Sequence, residues 1–220
     1  MLNTLDDYIC RSLPESGSLK TNPNLGLKVD GAGRFLPFYG NTAVFLLPDG
    51  VKSRLAELRD GLYSAAPELF AEPLDASTFH MTLHDLINGP DETGIAASMA
   101  EAEAKAGGIV GSFGNFEPIA MRATWTFNMV NTSIVLGLAP ADDYGWRRLP
   151  ELYSALEAVV PLGYALTPHI TLGYFRPGEY GEAALSRLRK ALGPVELELE
   201  LRPEALVLQR FTDMNSYFTI

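Results

Sequence analysis

Apolar and polar positions alternate along this chain with two different periods, and the switches between them divide it into elements. Val195–Leu201 reads Val-Glu-Leu-Glu-Leu-Glu-Leu, the period of two that fits a half-exposed strand. Val51, Leu55, Leu58 and Leu62 recur at helical spacing, so the pattern predicts a helix over Val51–Ala65 with one apolar face. Short continuous apolar runs at Thr42–Leu47, Phe79–Leu86 and Leu166–Phe175 predict buried strands. Thr93 has the chemistry of an N-cap for an Ala-rich helix ending at Gly107-Gly108. Further strands are expected around Phe116–Phe127 and Thr132–Leu138. Helices are expected near Trp146–Val160 and Tyr180–Leu192, the last stopped by Gly193-Pro194. Leu206–Phe211 and Ser216–Ile220 complete the set of strands.

The order strand–helix–strand–helix–strand occurs twice, with no long linker between the copies. This predicts one bilobal α+β domain over residues 41–220. Its two pseudo-two-fold lobes would set antiparallel sheets towards a central cleft, with helices outside. Residues 1–40 differ: Pro14, Gly17, Pro23, Gly26, Gly31, Gly33, Pro37 and Gly40 crowd this stretch. They predict an N-terminal arm with one short helix at Leu5–Leu13, a loosely packed cap. Phe35, Phe38 and Tyr39 give it aromatic rings that can dock over a pocket mouth.

Two of the predicted strands carry the same pattern. His80-Met81-Thr82-Leu83 recurs as His169-Ile170-Thr171-Leu172, 89 positions further on, and the chain has three histidines in all. In a strand, residues i and i+2 share a face, so each copy presents an imidazole beside a hydroxyl. A lone strand histidine is ordinarily a core or surface residue, and a threonine beside it is ordinary β-propensity. Repetition in matching contexts is what points to chemistry. Cleaving a phosphodiester needs a base on the attacking oxygen and an acid on the leaving oxygen, and imidazole serves either role near neutrality. The hydroxyls of Thr82 and Thr171 can donate to the charge that builds on the non-bridging oxygens. None of this requires a metal or a cofactor.

These residues resemble the two-histidine (2H) phosphoesterase superfamily, which includes 2′,3′-cyclic phosphodiesterases, bacterial proteins called 2′-5′ RNA ligases and RNA 3′-end exonucleases. The likeness reaches beyond the tetrapeptides. It takes in the apolar strand Thr42–Leu47, the turn Pro48-Asp49-Gly50 and the helix Val51–Ala65. Before the second motif it takes in Ser133–Leu138, Trp146–Val160, Gly163 and Pro168-His169. It covers roughly Asn41 to Ile220. The resemblance implies a metal-independent phosphodiesterase acting on a small nucleotide or an RNA 3′ end, with His80, His169, Thr82 and Thr171 as its catalytic set. It also puts Tyr217 in the family's terminal-strand tyrosine position. RNA ligation, the reverse of the same chemistry, stays open, as does a catalytically silent nucleotide- or phosphate-binding module.

Other candidates follow from period and charge. By period two, His84 shares a face with His80 and Thr82, and Phe175 shares one with Thr171 and Gly173. His84 can then touch a leaving group or base, and Phe175 can stack on a base. Arg122, Arg176 and Arg210 are candidates for a phosphate clamp, because guanidinium binds phosphate bidentately. His80 and His84 lie about 13 Å apart by strand rise, too far to share one ion, so no metal is expected.

Composition narrows the partners. The formal charge of −10 disfavours long duplex nucleic acid, whose binding leans on Lys and Arg. No apolar run reaches a membrane span, and the acidic start Met1–Asp7 does not read as a signal peptide. The single Cys10 gives no internal disulfide framework. A cytoplasmic monomer is the expectation.

Overall fold

A computed structural model describes Leu2 and residues 13–220. The helix expected at Leu5–Leu13 and Cys10 fall outside the described residues, apart from Leu13 itself. Two four-stranded antiparallel sheets form the body. The first runs β10 (Ser216–Thr219), β9 (Leu206–Asp213), β2 (Tyr39–Leu46), β3 (His80–Gly89). The second runs β8 (Glu198–Leu201), β4 (Ile119–Met129), β5 (Ser133–Pro140), β6 (His169–Tyr174). The sheets correspond strand for strand, with β3 matching β6 and β2 matching β5. They differ in how the chain completes them. In the second sheet β4 turns directly into β5, whereas in the first the partner of β2 is β9, supplied late in the chain.

Four helices cover the sheets. The helix α1 (Asp49–Ala65) packs on β6 and on α4 (Glu182–Ala191). The helix α2 (Glu92–Ser112) packs on β2, β3 and β9, and α3 (Asp143–Glu157) on β3, β4 and β5. So α1 and α3, each inserted between two strands of one sheet, reach across to the H-x-T strand of the other. The central strands β2 and β5 bury nearly every residue, which is why they read as continuous apolar runs.

Three expectations are corrected. The helix α2 starts at Glu92 with Asp91 at the N-cap, so Thr93 lies in the first turn. It also continues through Gly107-Gly108 to Ser112. Each glycine weakens a helix by about 1 kcal/mol relative to Ala. Here burial of Met99, Ala102 and Ala106 prevails. The strand expected at Val195–Leu201 is regular only from Glu198. Its first residues meet β4 at a register shift between Ala123 and Thr126.

Residues 13–38 are not loosely packed. Leu19, Leu25, Val29 and Phe38 join the common core. The short β1 (Leu19–Lys20) pairs with β7 (Glu179–Tyr180). The Asn22 N–H donates to the Asn131 carbonyl at the β4–β5 turn (3.0 Å), and the Phe38 N–H donates to Thr212 on β9 (2.9 Å). This segment therefore touches both lobes. At the turn it grips, Val130 and Asn131 both have positive φ, 43° and 60°. They are the two central residues of a turn closed by the Thr132 N–H on the Met129 carbonyl (2.9 Å), and this left-handed conformation is strained at a β-branched valine.

Candidate active site

The two H-x-T strands are irregular in the same place. Along β3, His80 pairs with Leu46, Thr82 with Val44 and His84 with Ala43, so Leu83 is an extra residue. Along β6, His169 pairs with Gly137, Thr171 with Val135 and Gly173 with Ile134, so Leu172 is extra. Each is a β-bulge, and a bulge inverts the alternation of faces beyond it. Before the bulge, His80, Thr82, His169 and Thr171 line one cavity of about 870 Å³. Two residues beyond each extra leucine, Asp85 and Tyr174 are half-buried, and both line that cavity.

This overturns the period-two reading of His84 and Phe175. His84 borders the cavity, but its side chain is completely buried. Its ring bonds the Asp85 carbonyl through Nδ1 (2.5 Å) and the Glu157 carboxylate of α3 through Nε2 (3.1 Å), and it lies against Tyr153. Phe175 is wholly buried and stacks on Phe70, with centroids 5.8 Å apart. The space opposite Gly173 is filled by Tyr63 of α1. A Cβ there would come within 2.8 Å of the Tyr63 ring.

The two histidines are held alike. The Nδ1–H of His80 donates to the Thr78 carbonyl and that of His169 to the Thr167 carbonyl, each at 2.7 Å. A carbonyl can only accept, so Nδ1 carries the proton and Nε2 is left for a ligand. Thr78 ends a short 3₁₀ turn, Ala76–Thr78, whose N-cap Asp75 accepts from the Ser77 N–H (2.7 Å). Among the described residues neither Thr82 nor Thr171 uses its hydroxyl within the protein, so both are free to donate to a ligand.

Burial pushes His80 down to about 4. The Thr78 carbonyl and Asp85 pull against this, and the charge of His169 adds to the depression. Burial also lowers His169, against the pull of the Thr167 carbonyl and Asp85. Both imidazoles are thus neutral near pH 7. An anion between them would raise both. Burial likewise raises the phenols of Tyr174 and Tyr217, keeping them as O–H donors.

Of the remaining predicted residues, Tyr217 lines the cavity, its ring tilted against His80 at 4.9 Å. The arginines do not. Arg210 makes a bidentate pair with Glu103 of α2, Nε to Oε1 at 2.5 Å and Nη2 to Oε2 at 2.6 Å. Arg122 is exposed on β4, and Arg176 packs beside Gly33. Tyr39 begins β2 away from the cavity lining. Asp85 and Tyr174, which escape the period-two reading, line the cavity, as does Lys28 of the N-terminal segment. The polar Asp85 in an apolar strand was a signal for a broken alternation. Among the described residues, no group of three His, Cys, Asp or Glu side chains is placed to hold a metal ion. No described helix is long and apolar enough to cross a membrane.

No protein-family model matches the chain, and no curated protein matches it in sequence. Solved structures do match in fold. The conserved protein of unknown function ATU0111 from Agrobacterium tumefaciens is 18% identical, with TM-score 0.62 over 92% of this chain and 93% of that one. TT0787 of Thermus thermophilus is 15% identical, with TM-score 0.54 over 82% and 94%. E. coli LigT complexed with 3′-AMP is 17% identical, with TM-score 0.54 over 84% and 95%. The chain therefore has the LigT-like fold, as its resemblance to the two-histidine phosphoesterases implies.

Proposed function

We propose that this protein is a metal-independent phosphodiesterase of the two-histidine type, hydrolysing a nucleotide or RNA-terminal phosphodiester such as a 2′,3′-cyclic phosphate. The observation that supports it is the matched pair of histidines. Each is pinned through Nδ1 to a backbone carbonyl two residues upstream, and each lines one cavity beside a free threonine hydroxyl.

The chemistry follows from those atoms. Water attacks phosphorus and passes a proton to the neutral Nε2 of one histidine. The bond from phosphorus to one ribose oxygen breaks, and that oxygen takes a proton from the Nε2 of the other histidine. The hydroxyls of Thr82 and Thr171 donate to the non-bridging oxygens, where charge builds. A bound phosphodiester anion raises the histidine that must be protonated, so the substrate helps to charge its own acid. The product is a nucleoside monophosphate with its phosphate on the ribose ring, and LigT has been solved with such a molecule, 3′-AMP. Run backwards, the same groups form the diester.

The test is hydrolysis of 2′,3′-cyclic nucleotides and short 2′-5′ and 3′-5′ oligomers with EDTA present. Turnover should survive the chelator, because the donors are imidazoles and hydroxyls. His80→Ala and His169→Ala should each lower kcat by about 10²–10⁴. The double variant should cost far less than the product of the two. Unchanged turnover in both single variants would refute the two-histidine mechanism, and absence of turnover in the wild type would leave a binding module rather than an enzyme.

A further inference from the structure

The cavity extends well beyond the histidines. Among the described residues its lining carries one cationic lysine or arginine, Lys28, and one carboxylate, Asp85. Lys28 belongs to the N-terminal segment that bridges the lobes. Its N–H donates to the Leu25 carbonyl and its carbonyl accepts from the Leu36 N–H, each at 2.9 Å. Its stem crosses Phe38, with Nζ 4.8 Å from the ring centroid. Among the described residues it has no carboxylate within ion-pair distance.

Burial pushes the Lys28 ammonium below the ordinary lysine range, with only the charge of Asp85 opposing. A desolvated cation without a counter-ion is unfavourable, and an anionic ligand removes that cost. Asp85 also acts electrostatically on His80 and His169, so the lysine belongs to the same site and not to a separate surface. Asn22 and Asn24, from the lysine's own segment, line the cavity too. Asp85 repels phosphate and accepts from hydroxyl. A ligand spanning the cavity therefore presents one anion to the histidines, a neutral donor such as a ribose hydroxyl to Asp85, and a second anion to Lys28.

We infer that Lys28 forms a second anion subsite, and that the preferred substrate is a phosphodiester carrying a phosphomonoester on the same nucleotide, as in a 5′-phosphorylated 2′,3′-cyclic nucleotide. This rests on the phosphodiesterase reading above and deepens it.

The experiment compares adenosine 2′,3′-cyclic phosphate with and without a 5′-phosphate, using the full chain, Lys28→Met and Lys28→Arg. Methionine keeps an apolar stem over Phe38 and removes the charge. The 5′-phosphorylated diester should show kcat/KM higher by about tenfold or more in the wild type, a preference near one in Lys28→Met, and recovery in Lys28→Arg. Calorimetric binding of AMP against adenosine runs in parallel and decides the matter where no turnover is seen. AMP binding about tenfold tighter than adenosine, and dependent on Lys28, would uphold the subsite even if no diester were hydrolysed, in which case the phosphodiesterase reading alone fails. Equal kcat/KM for the two diesters, a preference that survives Lys28→Met, or absence of both turnover and Lys28-dependent AMP binding would overturn the subsite.

Discussion

Replacing His84 by alanine separates the two accounts of the bulge. If period two held through β3, His84 would face substrate and its loss would raise KM. The structure instead puts the ring in the interior, with both nitrogens on oxygen acceptors. Glu157, its partner, also accepts from the Leu162 N–H at 3.0 Å. Loss of a hydrogen bond to a charged group is worth about 1.5–3 kcal/mol. The emptied ring volume beside Tyr153 adds to this, so a total near 2–4 kcal/mol is expected. For a chain of this size that is a fall in Tm of roughly 5–15 °C. The assay is thermal unfolding beside steady-state kinetics on one diester, with Glu157→Leu and the double variant closing a cycle. The coupling should be about 1–3 kcal/mol, with KM shifted by less than about threefold. A Tm unchanged within error together with a tenfold rise in KM would refute the inverted face.

Three further outcomes follow. Gly173→Ala should cost about 1–3 kcal/mol by thermal unfolding, because its Cβ meets a Tyr63 ring already stacked on Phe70 at 4.5 Å. In a Tyr63→Leu background the same change should be nearly neutral, and an equal cost in both backgrounds would be inconsistent with that contact. Arg210→Ala should lower stability by about 1–2 kcal/mol while leaving KM unchanged, since the guanidinium holds Glu103 and not phosphate; a selective rise in KM would return Arg210 to the site. Burial lowers His80 and His169 in the fold, so the unfolded chain binds protons that the folded one refuses. Stability should therefore fall as pH drops from about 6.5 towards about 4, less steeply in His80→Gln and His169→Gln than in the wild type. Parallel pH profiles would show that these rings do not titrate as described.

Much of this was legible in the chain itself. The repeated tetrapeptide located four cavity residues, and the twofold order of strands and helices anticipated the paired sheets. What stayed hidden was the parity change at Leu83 and Leu172. Both are leucines within apolar runs, and nothing in their chemistry marks a bulge, since the register shift is imposed by pairing with β2 and β5. One unread residue in each strand thus misdirected His84 and Phe175 and concealed Asp85 and Tyr174. Lys28 was hidden for another reason. Its Gly- and Pro-rich surroundings read as a loose arm, whereas tertiary contacts of Leu25, Val29 and Phe38 fasten that segment into the core.

The late arrival of β9 has a consequence for how the chain comes into being on the ribosome. The second sheet can assemble from residues that emerge close together. The first must wait, with β2 and β3 already made, until residues 206–219 emerge to pair along β2 and bring Tyr217 beside His80. Until then β2, nearly every residue of which is buried in the finished fold, presents an open edge of the kind that recruits strands from other chains. Synthesis that stalls short of β9 would release a species prone to aggregate, with the second lobe folded and the first incomplete. Competence of the site and safety of the nascent chain are secured by the same strand.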